Sequence, residues 1–457
     1  MGCGVGLLAL LLHDEVESYH GADFSESALR SARERLSPRV ELHRRHAADF
    51  TGVPPRSRDT VVVNSVAQYF PDADYLSQVL EGAIDTTCDG GRVFLGDLRN
   101  KELNEIFHGA VELYRAPKEA SAEDVRARAW DRLAMEKELL VSPGFFRLLA
   151  TCHPRLNGVE IALKRGRHAT EMNCFRYDVT LHVGPTPPER TPVEPLRLEW
   201  PGAEDLGVLL CERRPDAVVV AGVPNSRTMA HLRAWRRTLE GGITAGEVCA
   251  EPALAPEGID PEFFPDWAEE HGYEATAGWW LDDGADGTYD LVLRRRGACD
   301  GVPASVLLGK DAAPDAGHAD GEQAAGERAA AWFAPYVSRP YSQESVLDGL
   351  SGDESPTEII QAVWGKVLGR EDIDPDANFF DLGGNSLLLV HVLQQLRATV
   401  GPELQLVDLF QHASVNALAR SLTAGEEDTA QEDQKSATDR RRAMRRQRAR
   451  RVPGMEG

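Results

Sequence analysis

Two short stretches of the chain carry residue types that could do chemistry, and they lie near its opposite ends. Toward the C-terminus, Asp381-Leu382-Gly383-Gly384-Asn385-Ser386-Leu387 opens an amphipathic run that continues through Leu396. Paired glycines let another backbone approach closely. A serine at a helix start sits among free N–H groups at the positive end of the helix dipole, which favours a phosphodiester anion on its hydroxyl. The plainer alternative is a serine that caps a helix after a glycine turn.

At the other end, Met1-Gly2-Cys3-Gly4-Val5-Gly6-Leu7 alternates glycine with other residues. A lone glycine cluster also marks ordinary turns, so the residues downstream of it decide its meaning. Asp23 closes the next strand-like segment, where an acid can hold both hydroxyls of a ribose. Ala48 and Asp49 follow another strand, and an acid there can accept from an adenine amino group. Asn64 and Ser65 end a further strand, at the rim where open α/β sheets bind ligands. A dinucleotide site would begin the same way but needs a third glycine. That place holds Ala9 counted from Gly4 and Leu7 counted from Gly2. Alanine is sometimes tolerated there, so the first frame keeps the dinucleotide reading open.

The elements that must position these residues can be read from hydrophobic spacing. Tyr19–Asp23, Val40–His43, Thr60–Asn64 and Arg92–Gly96 read as strands, with helices over Ser25–Leu36 and Asp74–Thr87. This alternation predicts a parallel sheet covered on both faces. Val159–Lys164 and Phe175–Val183 suit an antiparallel pair closing that sheet. Residues 186–297 form a further α/β stretch with strands at Ala217–Val220 and Tyr289–Arg294, and residues 298–354 contain a linker poor in large apolar side chains. In Pro356–Leu368, Ile359, Ile360, Val363, Trp364 and Val367 share one helical face. Phe379 and Phe380 are expected to pin the adjoining loop to a small bundle completed by short helices around Leu406–Phe410 and Val415–Leu422. A basic tail, Arg440–Arg451, lies in the final segment, 424–457, and reads as a disordered stretch or a solvated helix.

With these residues in view, segment 355–423 resembles the thiolation domains of nonribosomal peptide synthetases. The resemblance implies an all-α four-helix carrier bundle with 4′-phosphopantetheine on Ser386, installed by a phosphopantetheinyl transferase. Residues 1–185 resemble the methyltransferase domains embedded in the same synthetases. Asn64-Ser65-Val66-Ala67-Gln68-Tyr69-Phe70-Pro71, Gly90-Gly91-Arg92-Val93-Phe94-Leu95-Gly96-Asp97-Leu98-Arg99-Asn100 and Phe175-Arg176-Tyr177-Asp178-Val179 carry that likeness. Residues 186–297, including Val220-Ala221-Gly222-Val223-Pro224-Asn225, look like the C-terminal extension of the same domain.

The resemblance implies an α/β fold of the Rossmann-like class I methyltransferase kind that binds S-adenosylmethionine through Gly2, Gly4, Gly6, Asp23, Ala48, Asp49, Asn64 and Ser65. In the family, helices and the first half of the central strand precede the glycine loop, and here Met1 stands at that point. The expectation is therefore an N-terminally truncated domain. Candidates for steering the acceptor are Asp97, His168 and Gln68, with Arg99 and Glu171 beside them. The expected reaction is N-methylation of an aminoacyl or peptidyl group held on the carrier. The alternatives are a carrier and docking protein with an inactive methyltransferase, or C- or O-methylation of a polyketide-like intermediate. Residues 331–354 are too short for the last subdomain of an adenylation domain and lack an Asn-Gly-Lys motif. Adenylation and condensation modules are then expected as partners in trans.

Composition closes off other classes. The net charge is −23, which argues against a nucleic-acid-binding body. No run of about 18 apolar residues exists to span a bilayer, so no membrane association is expected. The seven cysteines are scattered and form no C-x-x-C pair, a usage that fits a reducing, cytoplasmic setting.

Overall fold

The computed structural model describes residues 1–37, 39–185, 193–251, 258–299, 302–308, 333–338, 355–368, 373–379, 382, 392–393, 396–397, 404, 408–409 and 412–422. The chain divides into two compact units, residues 1–129 with 136–340 and residues 130–135 with 341–457.

In the first unit ten strands are described: β1 (Tyr19–Asp23), β2 (Val40–Arg44), β3 (Arg58–Asn64), β4 (Thr87–Arg99), β5 (Leu156–Leu163), β6 (Arg176–Val183), β7 (Leu196–Glu199), β8 (Ala217–Pro224), β9 (Tyr273–Gly278) and β10 (Thr288–Arg295). Strands β1 and β2 pair in parallel as a small sheet of their own. The other eight run in the order β3-β4-β6-β5-β9-β10-β8-β7. The segment Met1–Cys3 reaches both sheets. The Met1 ammonium donates to Val62 O on β3 at 2.7 Å, and Cys3 N donates to Ala22 O on β1 at 2.9 Å.

The helices form for the reasons their sequences give. Ser25 accepts from Ala28 N and caps Glu26–Arg35, whose Leu29 and Ala32 are buried. Asp72 accepts from Tyr75 N and caps Ala73–Thr86. There Leu76, Val79, Leu80, Ala83 and Ile84 are buried at the three- and four-residue spacing of one helical face. Each fully buried Leu or Val contributes about 1.5–3 kcal/mol relative to exposure, so this face secures the helix against the sheet.

The large sheet is mixed, with β5 and β6 as the antiparallel pair expected to close it, while β1 and β2, expected in the same parallel sheet, form a separate one. β3 and β4 are parallel, as are β7 and β8, but β6 runs antiparallel to both β4 and β5. The connection between β5 and β6 carries only the four-residue helix Glu171–Cys174, much less than the helix usual in a parallel crossover. β5 meets β9 where Ala162 lies opposite Gly278. A Cβ on Gly278 would stand 1.8 Å from Ile161 O, so the two halves of the sheet approach here only because the position has no side chain. β7 and β9 are additions to the strands expected from the sequence; β7 is only four residues long, and β9 carries mostly small side chains.

The second unit is built on Pro356–Leu368 and helical residues 392–393, 396–397, 408–409 and 415–422. Its core includes Ile360, Val363, Trp364, Ile373, Phe379, Val392, Leu393, Leu396, Leu409, Val415 and Leu418. Phe379 meets Trp364 edge-on, with centroids 4.8 Å apart. Phe379 N donates to Ala413 O and Asn416 N to Pro375 O, so the loop is tied to the final helix by its backbone. Phe380 and the basic tail lie outside the described residues. No helix among the described residues is long and apolar enough to cross a membrane.

Gly278→Ala is expected to cost about 1–3 kcal/mol, the usual penalty for forcing extra volume into a close contact. Urea denaturation of the two proteins checks this. A midpoint unchanged within about 0.5 kcal/mol would mean that the approach of Gly278 to Ile161 is not tight.

Candidate functional site

The C-terminal ends of β1, β2, β3 and β4 and the loops after them carry most of the candidate residues. The first loop has Gly2, Gly4 and Gly6 at φ of 65°, 51° and 80°, values that suit glycine. A Cβ on Gly4 would meet nothing within 4 Å, so the backbone is open there, whereas Gly2 packs against Val66 and Gly6 against Leu36. Asp23 is almost fully buried at the end of β1, and its two carboxylate oxygens accept from Gly4 N at 2.8 Å and Ser25 N at 2.9 Å. It therefore fastens the glycine loop to the start of the next helix. Each carboxylate oxygen has a second lone pair, so both can still accept from a diol.

Ala48 N donates to the Tyr75 hydroxyl at 3.4 Å. Asp49 is exposed, and Oδ1 accepts from Thr51 N at 2.9 Å. That backbone hydrogen bond, with one from the Thr51 side chain, holds its carboxyl below the usual range. Open glycine backbone, a buried acid with lone pairs to spare and an exposed acid fit a nucleoside-bearing cofactor such as S-adenosylmethionine.

A second group sits where β3 and β4 end. Leu95 pairs with Val179 and Leu98 with Tyr177, so Gly96 and Asp97 together face the single residue Asp178. This is a bulge, and bulges re-aim side chains at sheet rims. Asp97 takes φ 63°, an unusual value for a residue with a side chain, and neighbouring Ser65 takes φ 56°. Gly96 is the enabling residue, because a Cβ there would fall 2.0 Å from Asn64 Oδ1. Ser65 N donates to Gly96 O, the Ser65 hydroxyl donates to Asp97 Oδ2, and Asn64 Nδ2 donates to Ser65 Oγ.

The bulge is held by charge. Lys164 Nζ lies 2.5 Å from Asp97 Oδ1 and 2.9 Å from Asp178 Oδ1, while Asp97 N donates to Asp178 Oδ1 at 3.0 Å. Burial pushes the Asp97 carboxyl up, but hydrogen bonds from Lys164 and Ser65 outweigh it and leave it below the ordinary range. Burial likewise works against the Lys164 charge, and the two carboxylates overcome it and raise the ammonium's pKa. At neutral pH the cluster is one cation between two anions.

Gln68 comes next, on the short helix Ala67–Tyr69, which packs on β4. It is 4% exposed, and its side-chain Oε1 is buried with no hydrogen-bond partner. Its main-chain oxygen accepts from Leu139 N at 2.8 Å, which brings segment 136–139 over the rim. Arg99 at the end of β4 anchors the same segment. Its Nη1 lies 2.9 Å from Glu136 Oε2 and 3.0 Å from Glu138 Oε2, and its guanidinium stands 5.0 Å above the Phe107 ring. His108 Nε2 lies 3.1 Å from Glu136 Oε2.

The structure thus brings together Asn64, Ser65 and Asp97, with Gln68 on the adjoining helix. His168 stands apart: its side chain is exposed, and only its backbone oxygen is engaged, by Asn173 Nδ2 at 2.7 Å. Glu171 is also exposed and pairs with Arg176. Lys164, Asp178, His108 and Glu136 are site residues that the sequence does not single out. The apolar alternation of β5 and β6 signals that both strands end near the rim, but not that Lys164 bridges two acids. Ser386 and its two preceding glycines lie outside the described residues.

Comparison with known proteins gives the same two parts. Residues 1–91 match a family described as methyltransferase domain, and residues 358–422 match one described as phosphopantetheine attachment site. The chain is similar to a probable non-canonical nonribosomal peptide synthetase, CymA, of Salinispora arenicola. The two are 32% identical over 452 residues, taking in 92% of this chain and 6% of that protein. It is also similar to chondramide synthase cmdD of Chondromyces crocatus, 31% identical over 486 residues, with 94% of this chain and 12% of that protein covered. The chain therefore spans a small part of the length of these relatives. Among solved structures, magnesium protoporphyrin IX methyltransferase (ChlM) from Synechocystis PCC 6803 with bound SAH matches at 18% identity and a TM-score of 0.28, over 40% of this chain and 72% of that one.

The Glu136 carboxyl gives a pH prediction. Burial pushes it up, but the His108 hydrogen bond and the Arg99 charge dominate and lower it from 4.5 to about 2. A carboxyl depressed in the folded state contributes stability above its unfolded pKa and loses it as pH falls through the folded value. Glu136→Gln is expected to cost up to about 3 kcal/mol at pH 7. The difference from the unsubstituted protein should shrink between about pH 4.5 and pH 2, measured by urea denaturation across that range. A difference independent of pH there would remove the ion pair from the account.

Proposed function

Taking as premise that this chain joins a methyltransferase domain to a phosphopantetheine attachment domain of the nonribosomal peptide synthetase kind, we propose that it N-methylates an aminoacyl or peptidyl group tethered to Ser386. The tether is 4′-phosphopantetheine, added by a phosphopantetheinyl transferase, and the tethered group is loaded by adenylation and extended by condensation modules in trans. S-adenosylmethionine supplies an electrophilic methyl group when bound. Gly2, Gly4, Gly6, Asp23, Ala48 and Asp49 are the residues that hold it, with Asn64 and Ser65 at the edge.

The observation that supports nitrogen as the acceptor is the buried, unpartnered Gln68 Oε1 beside a rim whose acid is kept anionic. A buried acceptor with nothing to accept from is costly, and a substrate N–H removes that cost. An α-amine has an ordinary pKa of about 7.7–8.0, so a useful share is already neutral near pH 7. Burial lowers that value further. A strong base is unnecessary, and orientation supplies most of the rate. In this reading Gln68 accepts one amine N–H, which turns the lone pair away from itself. The Asp97 carboxylate, kept ionised by Lys164, favours the positive charge that develops on nitrogen.

Two measurements test this. Asp97→Asn and Gln68→Ala are expected to lower methyl transfer to carrier-bound substrate by about 10²–10³-fold, the scale for losing one oriented polar group in a buried site. His168→Ala should leave the rate within a few-fold. Near-normal rates in both rim variants would dismiss the proposed positioning, and calorimetry with S-adenosylmethionine separates that result from an inactive fold. Separately, a phosphopantetheinyl transferase should add the mass of one arm to the full chain and none to Ser386→Ala. No gain in either would end the tethered reading.

A further inference from the structure

Away from the rim, strands β1 and β2 place two imidazoles and a carboxylate on one face. His20 lies opposite Glu41 in the parallel register, and Ala22 lies opposite His43. Side chains alternate along a strand, so His20, Glu41 and His43 share a face. His20 Nδ1 is 3.2 Å from Glu41 Oε2, and His43 Nε2 is 3.7 Å from the same oxygen. One ligating atom from each of the three residues lies within 4.8 Å of the other two. The imidazole rings are parallel, with centroids 6.0 Å apart.

These separations can be compared with what a metal requires. Zinc bonds of about 2.0–2.2 Å in a tetrahedron put ligand atoms about 3.3–3.5 Å apart. Two of the separations already lie close to that, and a modest side-chain rotation closes the third. The geometry points to a divalent-cation site formed by His20, Glu41 and His43, with a fourth position left to water. Two imidazoles and one carboxylate form a donor set suited to zinc.

The surroundings are compatible with this. His20 is partly buried, while Glu41 and His43 are more open to solvent, so an ion has a path of entry. Arg58, on β3, is the cation whose field the metal must offset. A bound ion would cross-link two strands that, among the described residues, form a two-stranded sheet, and such small sheets are marginal alone. β1 also ends in Asp23, so the cross-link would steady the strand that presents that acid.

Calorimetric titration of the full chain with Zn²⁺ alone, beside His20→Ala, His43→Ala and Glu41→Gln, tests the assignment. One tight equivalent is expected, weakened about tenfold or more in each variant. It should also weaken as the pH is lowered from 7.5 to 5.5, because protons compete with a metal for imidazole nitrogen in general. Glu41 is exposed and His43 partly so, so those two variants decide the matter if His20→Ala fails to fold. Zinc taken up by the free thiols would persist undiminished in all three variants, and that result overturns the site. So does the absence of any stoichiometric uptake.

Discussion

One ammonium between two carboxylates sets the shape of the rim. Asp97 and Asp178 face each other across a bulge, and without Lys164 two anions would share a partly buried space where neither is well solvated. With it, the bulge closes, Asp97 keeps a left-handed backbone, and its carboxylate is aimed at Ser65. A strained non-glycine residue persists only where its surroundings over-determine it. Here Lys164 after β5, the Ser65 hydroxyl after β3 and the Asp178 carboxylate on β6, which accepts from Asp97 N, do so from three different strands or their ends. The geometry at β3 and β4 is therefore a property of β5 and β6 as well.

The second constraint is the charge under segment 136–139. Arg99 is nearly buried, and a lone guanidinium there would be expensive. Glu136 and Glu138 neutralise it from the segment it anchors, while Asn104 accepts from its other nitrogen. Asp97 and Arg99, two positions apart at the end of β4, thus serve opposite neighbours. One fixes the strand ends, and the other fixes the loop that lies over Gln68. That leaves the Gln68 side-chain oxygen unpaired in a place where nearly everything around it is paired.

Much of this is legible in the sequence because it is local. The glycine loop, the strand ending in Asp23, the helix caps at Ser25 and Asp72, and the helix at 356–368 are each written in contiguous residues. The register that matters most is not. Asp97 and Asp178 lie 81 positions apart, and nothing in either segment announces that a bulge will set them face to face. Gly96 reads as a strand-end glycine until Asn64 is seen lying against it. The antiparallel turn of the sheet at β6 is foreshadowed by the alternation in 159–183, yet its continuation through β9 and β10 is not. β9 has few large apolar or β-branched side chains to mark it alone, and it is fixed as a strand by pairing with β10. His168 lies in a basic run that also reads as a plain surface turn, and the fold leaves its side chain exposed.

Tethering changes what such a rim must provide. A substrate held on a flexible arm is present at an effective concentration of about millimolar without any contact from the pocket. Affinity for the side chain of the substrate is then dispensable, and discrimination rests with whichever groups touch the reacting atom. On the proposed reading those are few: one amide oxygen that selects an N–H, and one anion that favours the charge formed there. A methyltransferase acting on a free amino acid has to recognise its carboxylate and side chain as well, which calls for more polar groups facing the pocket. On that reading the rim has only to orient the reacting nitrogen, because delivery is supplied by a covalent tether rather than by recognition.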